Sequence, residues 1–486
     1  MNLLSATFWV TLTGALGLFF VPAKDHAAIK RVAAFAGFVC LLLSIFAYFQ
    51  YDIKINGFQF VLQRPWIPQF GIDFHIGADG ISLPLVLLTG FIFFTGVLIA
   101  WNIEDRPKEF FILFLLLVTG VFGVFVSLNL FLLFVFYELA VLPMYLLIGV
   151  WGSTRKEYGA MKLTLYLLVG SALIFIGMLA LYFASGIHSF NLVELSKVHF
   201  SPDFQKVVFP LIFVGFGVLG GLWPLHTWSP VGHVAAPTSV SMLHAGVLMK
   251  LGAYGCFRVA ICLLPEGAVF WLPWVALLAT VNIVYGSMIA MVQRDFKFVI
   301  GYSSVSHMGF VLLGLASMNP IGVSGAVLQM FSHGIMTGLF FAIAGRMVYD
   351  RTHTRDLDEL GGLSGPLPFA NFCFMIAGFA SMGLPGLSGF VAELQILVGT
   401  WSRYPILALL SGIGIVVTAA YILRVLHKVF YGDLNEKLHH LSPITTIEKA
   451  AGIILVANLV LVGLCPSIMV NMISASVTPI LKGLFP

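Results

Sequence analysis

The chain has 486 residues, of which 59% are hydrophobic and 9% charged, and its mean hydropathy is +1.01. Soluble domains carry about 25% charged residues, so the composition excludes an ordinary soluble enzyme and indicates a polytopic membrane protein. The net charge of +4 does not indicate nucleic-acid binding, because Lys and Arg in such chains chiefly report topology. The five cysteines include no C-x-x-C pair, so neither an iron–sulfur nor a zinc site is predicted.

Apolar stretches long enough to span a bilayer, about 20 residues each, predict an all-α fold of about fourteen helices. No Lys or Arg precedes the first stretch, which we therefore expect to be a retained helix and not a cleaved signal peptide. The segment from Tyr51 to Ser82 is expected to lie partly at the membrane interface. The predicted helices lie near 3–21, 31–49, 83–101, 109–126, 129–149, 162–184, 207–228, 237–261, 268–291, 299–317, 325–348, 368–400, 406–428 and 449–473.

The seventh and twelfth predicted helices have interior Gly and Pro residues, which interrupt helices. These residues are Gly220, Gly221 and Pro224 in the seventh helix, and Gly383, Pro385, Gly386 and Gly389 in the twelfth. Breaks at matching places in two halves are typical of inverted-repeat transporters. The predicted segments are therefore helices 1–3 (residues 1–108), a first five-helix repeat (109–261), a second, inverted repeat (262–428) and a last helix (429–486).

Lys and Arg are concentrated in the loops on one side of the predicted helices. They lie mostly in the loops that face inward if both termini face outward. The positive-inside rule thus predicts periplasmic termini for a multi-pass protein of the bacterial inner membrane.

Three ionisable residues, Glu138, Lys250 and Glu393, lie deep within apolar runs. A charge at mid-bilayer depth costs about 3 kcal/mol on insertion scales, so such residues indicate an ion pathway. Lys250 lies roughly 20 Å from Pro237 at 1.5 Å per residue, too deep to extend to the interface. Glu393 follows the break in the twelfth helix. A structural ion pair is the alternative for each.

Lys162 and four histidines, His226, His244, His307 and His333, are further candidates for a proton relay. Histidine titrates near neutral pH and carries protons on either ring nitrogen. A lone buried histidine can equally be a hydrogen-bonded core residue. Lys162 lies near a helix end, where a lysine can extend to the interface, so relay and anchor both stay open.

Six local motifs, spread over nearly the whole chain, resemble the antiporter-like subunit M family of respiratory complex I, the proton-pumping NADH:quinone oxidoreductase. The motifs are Phe136-Tyr137-Glu138-Leu139-Ala140-Val141-Leu142-Pro143-Met144-Tyr145, Pro224-Leu225-His226-Thr227-Trp228, Ala245-Gly246-Val247-Leu248-Met249-Lys250-Leu251-Gly252-Ala253-Tyr254-Gly255, Ser303-Ser304-Val305-Ser306-His307-Met308-Gly309, His333-Gly334 and Gly383-Leu384-Pro385-Gly386.

The resemblance implies fourteen helices with two inverted five-helix repeats, and proton translocation driven by quinone reduction elsewhere in a complex. It implies that Glu138 is the helix 5 glutamate, Lys250 the helix 8 lysine, His307 and His333 the central relay, and Glu393 the exit group. NADH, flavin, iron–sulfur clusters and quinone are expected in other subunits, with no cofactor or metal in this chain. Expected partners are the lipid bilayer and the other membrane-arm subunits, especially neighbouring antiporter-like chains.

The resemblance fails at one position that bears on the mechanism. Members of this family usually carry a lysine seven residues before His226, where this chain has Leu219. Glu138 therefore lacks its usual partner. We hypothesise that proton uptake is rerouted, with His244 or Lys162 supplying the missing charge.

Two other readings stay open. A subunit of a multisubunit sodium/proton antiporter or of a membrane-bound hydrogenase would share the fold. Alternatively, the chain is a structural spacer of a membrane arm, its channel impaired by Leu219. A stand-alone small-molecule transporter is the weakest interpretation, because no separate cluster of polar groups suggests a substrate pocket.

Overall fold

The first part of the chain forms six long helices in the computed structural model, which describes residues 2–435, 438 and 440–485. The predicted end segments 1–108 and 429–486 extend over some residues outside that description. Side chains at the helix starts, such as Asn2, Asp25 and Asn129, accept hydrogen bonds from the first free backbone N–H groups. The helices are α1 Leu3–Leu18, α2 His26–Gln50, α3 Ser82–Ile99, α4 Pro107–Val126, α5 Leu130–Trp151 and α6 Lys156–Ala184.

The remaining helices follow after a loop that contains one short turn of helix, Leu192–Leu195. Pro at the first positions of several of these helices fixes the helical φ where no N–H partner is needed. The helices are α7a Pro202–Gly220, α7b Trp228–Ala235, α8 Thr238–Ile261, α9 Pro265–Val292, α10 Phe296–Ala316, α11 Pro320–Thr352, α12a Pro368–Ser381, α12b Ser388–Trp401, α13 Pro405–Phe430, α14 Thr446–Leu464 and α15 Ser467–Leu484.

Thirteen helices of the described chain are long and apolar enough to cross a membrane, judged by length and composition. Together with the shorter α1 and the divided α7 and α12, they confirm the predicted all-α membrane fold with broken seventh and twelfth helices. The inverted relation between the two five-helix groups and the segment boundaries at 108, 261 and 428 stay predictions.

A two-stranded antiparallel hairpin, β1 Gln59–Ile67 and β2 Ile72–Ala78, fills most of the segment that we expected at the interface. Ile76 of β2 also pairs with Ser127, at the end of α4. The Asn2 side chain donates a hydrogen bond to the Phe60 carbonyl, so the start of α1 lies at the same end of the bundle. We call this end the hairpin face, and the end that carries the loops before α4, α6, α8 and α10 the loop face.

The predicted fourteenth helix, 449–473, was wrong in its extent, because the chain turns at Cys465 and Pro466 and continues as α15. Tyr48 at the end of α2 donates to the Ile468 carbonyl at 2.7 Å. Ser476 accepts from the Gly80 N–H, just before α3, at 2.8 Å. Since both partners lie at the hairpin face, α15 runs along that face and does not cross the bundle. The two ends of the chain therefore lie on the same side.

The break in α7 is held by an asparagine from α9. Gly221 ends α7a with a positive φ of 77°, which glycine adopts without steric cost. Asn282 accepts from the Trp223 N–H at 2.5 Å and donates to the Gly221 carbonyl at 2.7 Å. One side chain thus satisfies both a free donor and a free acceptor of the interrupted helix, as the apolar surroundings require.

The break in α12 spans Met382 to Leu387, and Gly383 and Gly386 both have positive φ, 66° and 93°. After the break, Ser388 bonds Ser332 of α11 at 2.7 Å. A Cβ on Gly383 would lie 3.1 Å from Glu393 Oε2, so the glycine leaves room for that carboxylate. The break therefore places the start of α12b against α11 and the carboxylate against the unwound backbone.

Near the hairpin face, Arg258 of α8 forms a buried ion pair with Asp79, the residue before Gly80. Both side chains are buried, and Asp79 also accepts from the N–H groups of Ile81 and Ser82 at 3.0 Å. This pair, which the sequence analysis missed, joins the start of α3 to the end of α8.

Candidate functional site

Lys250 lies between two π-helical turns of α8, His244–Leu248 and Cys256–Ile261, and is fully buried. Its Nζ donates to the Ala245 carbonyl and lies 2.8 Å from His333 Nδ1 of α11. Among the described residues, no carboxylate forms an ion pair with it. The predicted relay lysine is therefore held by a carbonyl and an imidazole, and both can accept a hydrogen bond.

His333 is in turn beside His307 of α10, with 5.3 Å between the ring centroids. His307 Nδ1 lies 3.1 Å from Glu393 Oε1 of α12b. His307 Nε2 lies 2.9 Å from Ser381 Oγ, at the end of α12a. Four of the predicted residues thus form one buried row, Lys250, His333, His307 and Glu393, which we call the central row.

Gln329, Ser381 and Tyr421 extend the central row. Gln329 Nε2 donates to Glu393 Oε1 at 3.1 Å. The Tyr421 hydroxyl of α13 donates to Ser303 Oγ at 2.8 Å and interacts with the Ser381 hydroxyl. The sequence analysis missed Ser381 and Tyr421, although a tyrosine within the apolar run of α13 was a usable signal.

His244 occupies a second polar group, one turn and a half before Lys250 on α8. Its ring centroid lies 4.4 Å from that of His233 in α7b and 5.2 Å from that of Trp228. His233 accepts from or donates to Ser229 Oγ at 3.0 Å. Both ring nitrogens of His244 and Nδ1 of His233 are buried without a hydrogen-bond partner in the described chain. Buried polar atoms of this kind mark an internal site that exchanges protons or holds water.

Glu138 lies apart from the central row, half-buried in α5. Its carboxylate interacts with the Ser171 hydroxyl of α6, and Oε1 has no partner among the described residues. Leu219, the residue in place of the expected lysine, is fully buried in α7a. Glu138 thus has no cation beside it within the described chain.

Lys162 and His226 form a third location. Lys162 Nζ lies 5.8 Å from the Tyr158 ring centroid, near the start of α6. The His226 ring packs edge-on against Tyr285 at 5.4 Å, close enough to Lys162 to feel its charge. Neither Lys162 nor His244 contacts the Glu138 carboxylate, so the geometry does not support the hypothesis that one of them replaces the missing lysine.

The described residues contain no group of three or more His, Cys, Asp or Glu side chains arranged to hold a metal ion. The central row consists of groups that bind and release protons, with hydroxyl and amide groups around them. Its chemistry is therefore proton transfer along hydrogen bonds.

Comparison with known proteins relates this geometry to a family. Residues 127–419 match the model of the NADH:quinone oxidoreductase/Mrp antiporter transmembrane family. The chain is 39% identical over 500 residues to NADH-quinone oxidoreductase subunit M of Rhodobacter capsulatus, covering 99% of this chain and 96% of that protein. It is 37% identical to NAD(P)H-quinone oxidoreductase chain 4 of Gloeobacter violaceus, covering 94% and 88%.

A chain of respiratory complex I from Thermus thermophilus superposes with a TM-score of 0.90 at 27% identity, covering 98% of this chain and 99% of that one. A chain of the Mrp complex from a Dietzia species shares the fold, with a TM-score of 0.85 at 18% identity and full coverage of both chains. The matched family region includes both broken helices and every residue of the central row. The chain belongs to the NADH:quinone oxidoreductase/Mrp antiporter membrane family.

Proposed function

We propose that the chain is a membrane-arm subunit of a proton-translocating oxidoreductase that passes electrons from NADH, or a related donor, to quinone. The names of the Rhodobacter capsulatus and Gloeobacter violaceus relatives support this assignment. NADH, flavin, iron–sulfur clusters and quinone are assigned to other subunits. This chain contributes the translocation step and no redox chemistry of its own.

The central row is the observation that carries the proposal. Lys250, His333, His307 and Glu393 lie on four different helices. Each is in hydrogen-bond or ring contact with the next. A proton on Lys250 can pass to His333, and a proton on His307 can pass to Glu393. Four ionisable side chains in one apolar bundle are expensive to bury, and a relay explains why they lie in contact.

Orientation follows from the charges on the two faces. The loops rich in Lys and Arg lie at the loop face, as do the buried Arg346, Arg351 and Glu448. By the positive-inside rule we assign the loop face to the cytoplasm, and the hairpin face with both termini to the periplasm. Protons are then taken up at the loop face and released beyond Glu393, beside the broken α12. The outer faces are assigned to lipid and to neighbouring antiporter-like chains.

The candidates outside the central row receive unequal roles. His244 lies on the same helix as Lys250 and close enough to feel its charge, so we assign it to the relay. Glu138 and His226 are assigned to a side branch, because neither contacts the central row. Lys162 is assigned as an anchor near the loop face.

Pumping by the intact complex, measured against quinone reduction in sealed vesicles, tests the proposal. Lys250→Met and Glu393→Gln remove the ends of the central row and should lower the protons moved per electron. Glu448→Gln is the matched control, since this carboxylate is equally buried but pairs with Arg346 and Arg351 away from the row. An unchanged ratio in both row variants, with normal assembly on native gels, would support the structural spacer instead.

A second candidate, a subunit of a sodium/proton antiporter or a hydrogenase, is favoured only by the shared fold of the Mrp complex chain. The subunit composition of the purified complex separates the two. Co-purification of a quinone-reducing module supports the first assignment, whereas its absence together with sodium-dependent transport supports the second.

A further inference from the structure

A cavity of about 220 Å³ opens at the loop face between α3, α8, α10 and α11. Its wall combines backbone at Ala236 with the polar side chains of Ser239, Lys297, Arg346 and Asp350. A water molecule needs only about 10–15 Å³ of such space with polar partners. The cavity is therefore roomy and polar enough to hold several water molecules at the end of the bundle where we place proton uptake.

Lys297 lies at the inner wall of this cavity and is only 2% exposed. Its Nζ donates to the Ala236 carbonyl at 3.3 Å. The nearby Asp295 pairs with Arg355 at 3.2 Å, and no ion pair of Lys297 occurs among the described residues. A buried ammonium that is hydrogen-bonded to a carbonyl and lines a polar cavity is suited to exchange protons with that cavity.

Beyond the cavity, unpartnered polar atoms lead toward Lys250. Ser239 Oγ, His233 Nδ1 and both ring nitrogens of His244 are buried with no hydrogen-bond partner in the described chain. All three side chains are at most 2% exposed. Leaving one such atom unsatisfied costs about 1–3 kcal/mol. Four of them in one region are accounted for if water and mobile protons pass among them.

The order of these groups follows from their contacts. Ala236, which accepts from Lys297, comes three residues after His233, about one turn of helix away. Lys297 and Lys250 both act electrostatically on His233, so its ring lies between the two ammonium groups. His233 contacts His244 at 4.4 Å, and His233 also acts on His333 of the central row. The sequence of groups therefore runs from the cavity to the central row without Glu138.

We propose that protons reach Lys250 through this cavity, by way of Lys297, Ser239 and the His233–His244 pair, and bypass Glu138 and Leu219. The inference rests on the proposed function, since it supplies the uptake branch of the same relay. It assigns roles to His233, Ser239 and Lys297 in addition to that of His244. It also explains how a chain with Leu219 in α7a conducts protons.

Thiol labelling in the intact complex tests the cavity route. Ser239→Cys is nearly isosteric and places a thiol on the cavity wall; the exposed Cys465 is first changed to Ser. We expect a small, membrane-impermeant cationic methanethiosulfonate to modify Ser239→Cys from the loop-face side only, and modification to stop pumping. Ser44→Cys is the control, because Ser44 is equally buried but bonds Cys40 in α2, and it should stay unlabelled and active.

Substitutions test the groups beyond the cavity. The double change His233→Gln and His244→Gln keeps polar side chains but cannot relay protons through imidazole, and it should lower pumping as far as Lys250→Met does. Glu138→Gln should leave most of the pumping intact. The proposal is overturned if Ser239→Cys is inaccessible, if its labelled form pumps normally, or if Glu138→Gln alone abolishes pumping. An unaffected Lys250→Met variant would instead refute the proposed function, whatever the labelling result.

Discussion

Lys250 Nζ and His333 Nδ1 lie 2.8 Å apart in a fully buried part of the bundle, with no carboxylate in an ion pair with either. Two unit positive charges 4 Å apart repel by about 4 kcal/mol at an effective dielectric constant of 20, and more at shorter range. The pair therefore shares one proton and does not carry two. A shared proton can move between the two bases with little motion of heavy atoms.

The first prediction concerns the shared proton. In His333→Gln, the amide oxygen can still accept from Lys250, so the fold should persist, but no group carries the proton onward to His307. Pumping per electron should fall to the level of Lys250→Met while the complex assembles normally. Proton uptake and release by vesicles containing the complex, compared with the quinone reduction rate, measure the effect. Normal pumping in His333→Gln would contradict the central row.

The second prediction concerns the exit end. Glu393 accepts from Gln329 and lies 3.1 Å from His307. Glu393→Gln leaves a polar group of the same size that cannot bind a proton at neutral pH, so pumping should fall strongly. Glu393→Asp keeps the carboxyl and should restore part of it. Equal losses in both variants would show that the position serves packing and not proton transfer.

The third prediction uses Tyr421, which bonds Ser303 and reaches Ser381. Tyr421→Phe removes one hydroxyl at the edge of the central row and leaves its four ionisable members in contact. Loss of one buried hydrogen bond costs about 1 kcal/mol, so stability should fall slightly while the rate of pumping falls by less than in Glu393→Gln. The thermal midpoint of the complex and its pumping ratio are the two measurements. A complete loss of pumping would promote Tyr421 to an obligatory member of the row.

The fourth prediction places a cation back in α7a. Phe216, one turn before Leu219, packs against Tyr137 with 5.9 Å between ring centroids, and Tyr137 precedes Glu138. A lysine in Leu219→Lys should therefore find the Glu138 carboxylate. Breaking a buried pair costs about 3–5 kcal/mol, so Leu219→Lys with Glu138→Gln should be less stable than Leu219→Lys alone. Thermal unfolding of the four members of this mutant cycle measures the coupling, and additive effects would show that the residues do not meet.

The fifth prediction concerns Asn282, which bonds the backbone on both sides of the α7 break. Asn282→Ala leaves the Trp223 N–H and the Gly221 carbonyl without that partner, at about 1–3 kcal/mol for each buried group. The thermal midpoint should drop. Asn371→Ala, in α12a, is a comparison at another buried asparagine far from that break. Equal small losses in both would mean that water replaces Asn282.

The sequence was sufficient for the spanning helices, because each is a long apolar run, and for both breaks, because Gly221 and Gly383 adopt φ values that favour glycine. It also identified the central row, since an ionisable residue in an apolar run is conspicuous. The end of α14 was predicted wrongly because 449–473 reads as one apolar stretch, and only the contacts of Tyr48 and Gly80 show that α15 lies flat.

Partners across the bundle were beyond the sequence. Whether Glu138 has a cation beside it depends on how α5, α6 and α7a pack, and the structure places only Ser171 there. The pairing of Asp79 with Arg258 joins residues that are far apart in the chain. His233 went unassigned because its significance comes from His244, which lies on another helix.

The π-helical turn at His244–Leu248 has a consequence for evolution of the site. The carbonyl that receives the Lys250 ammonium belongs to Ala245, inside this turn. A π-helical turn holds one residue more than an α-helical turn, so deleting a single residue there would tighten the helix while both flanks kept their facing. The solvation of Lys250 is thus written in the number of residues between two points of the chain, and no exchange of side chains reproduces it.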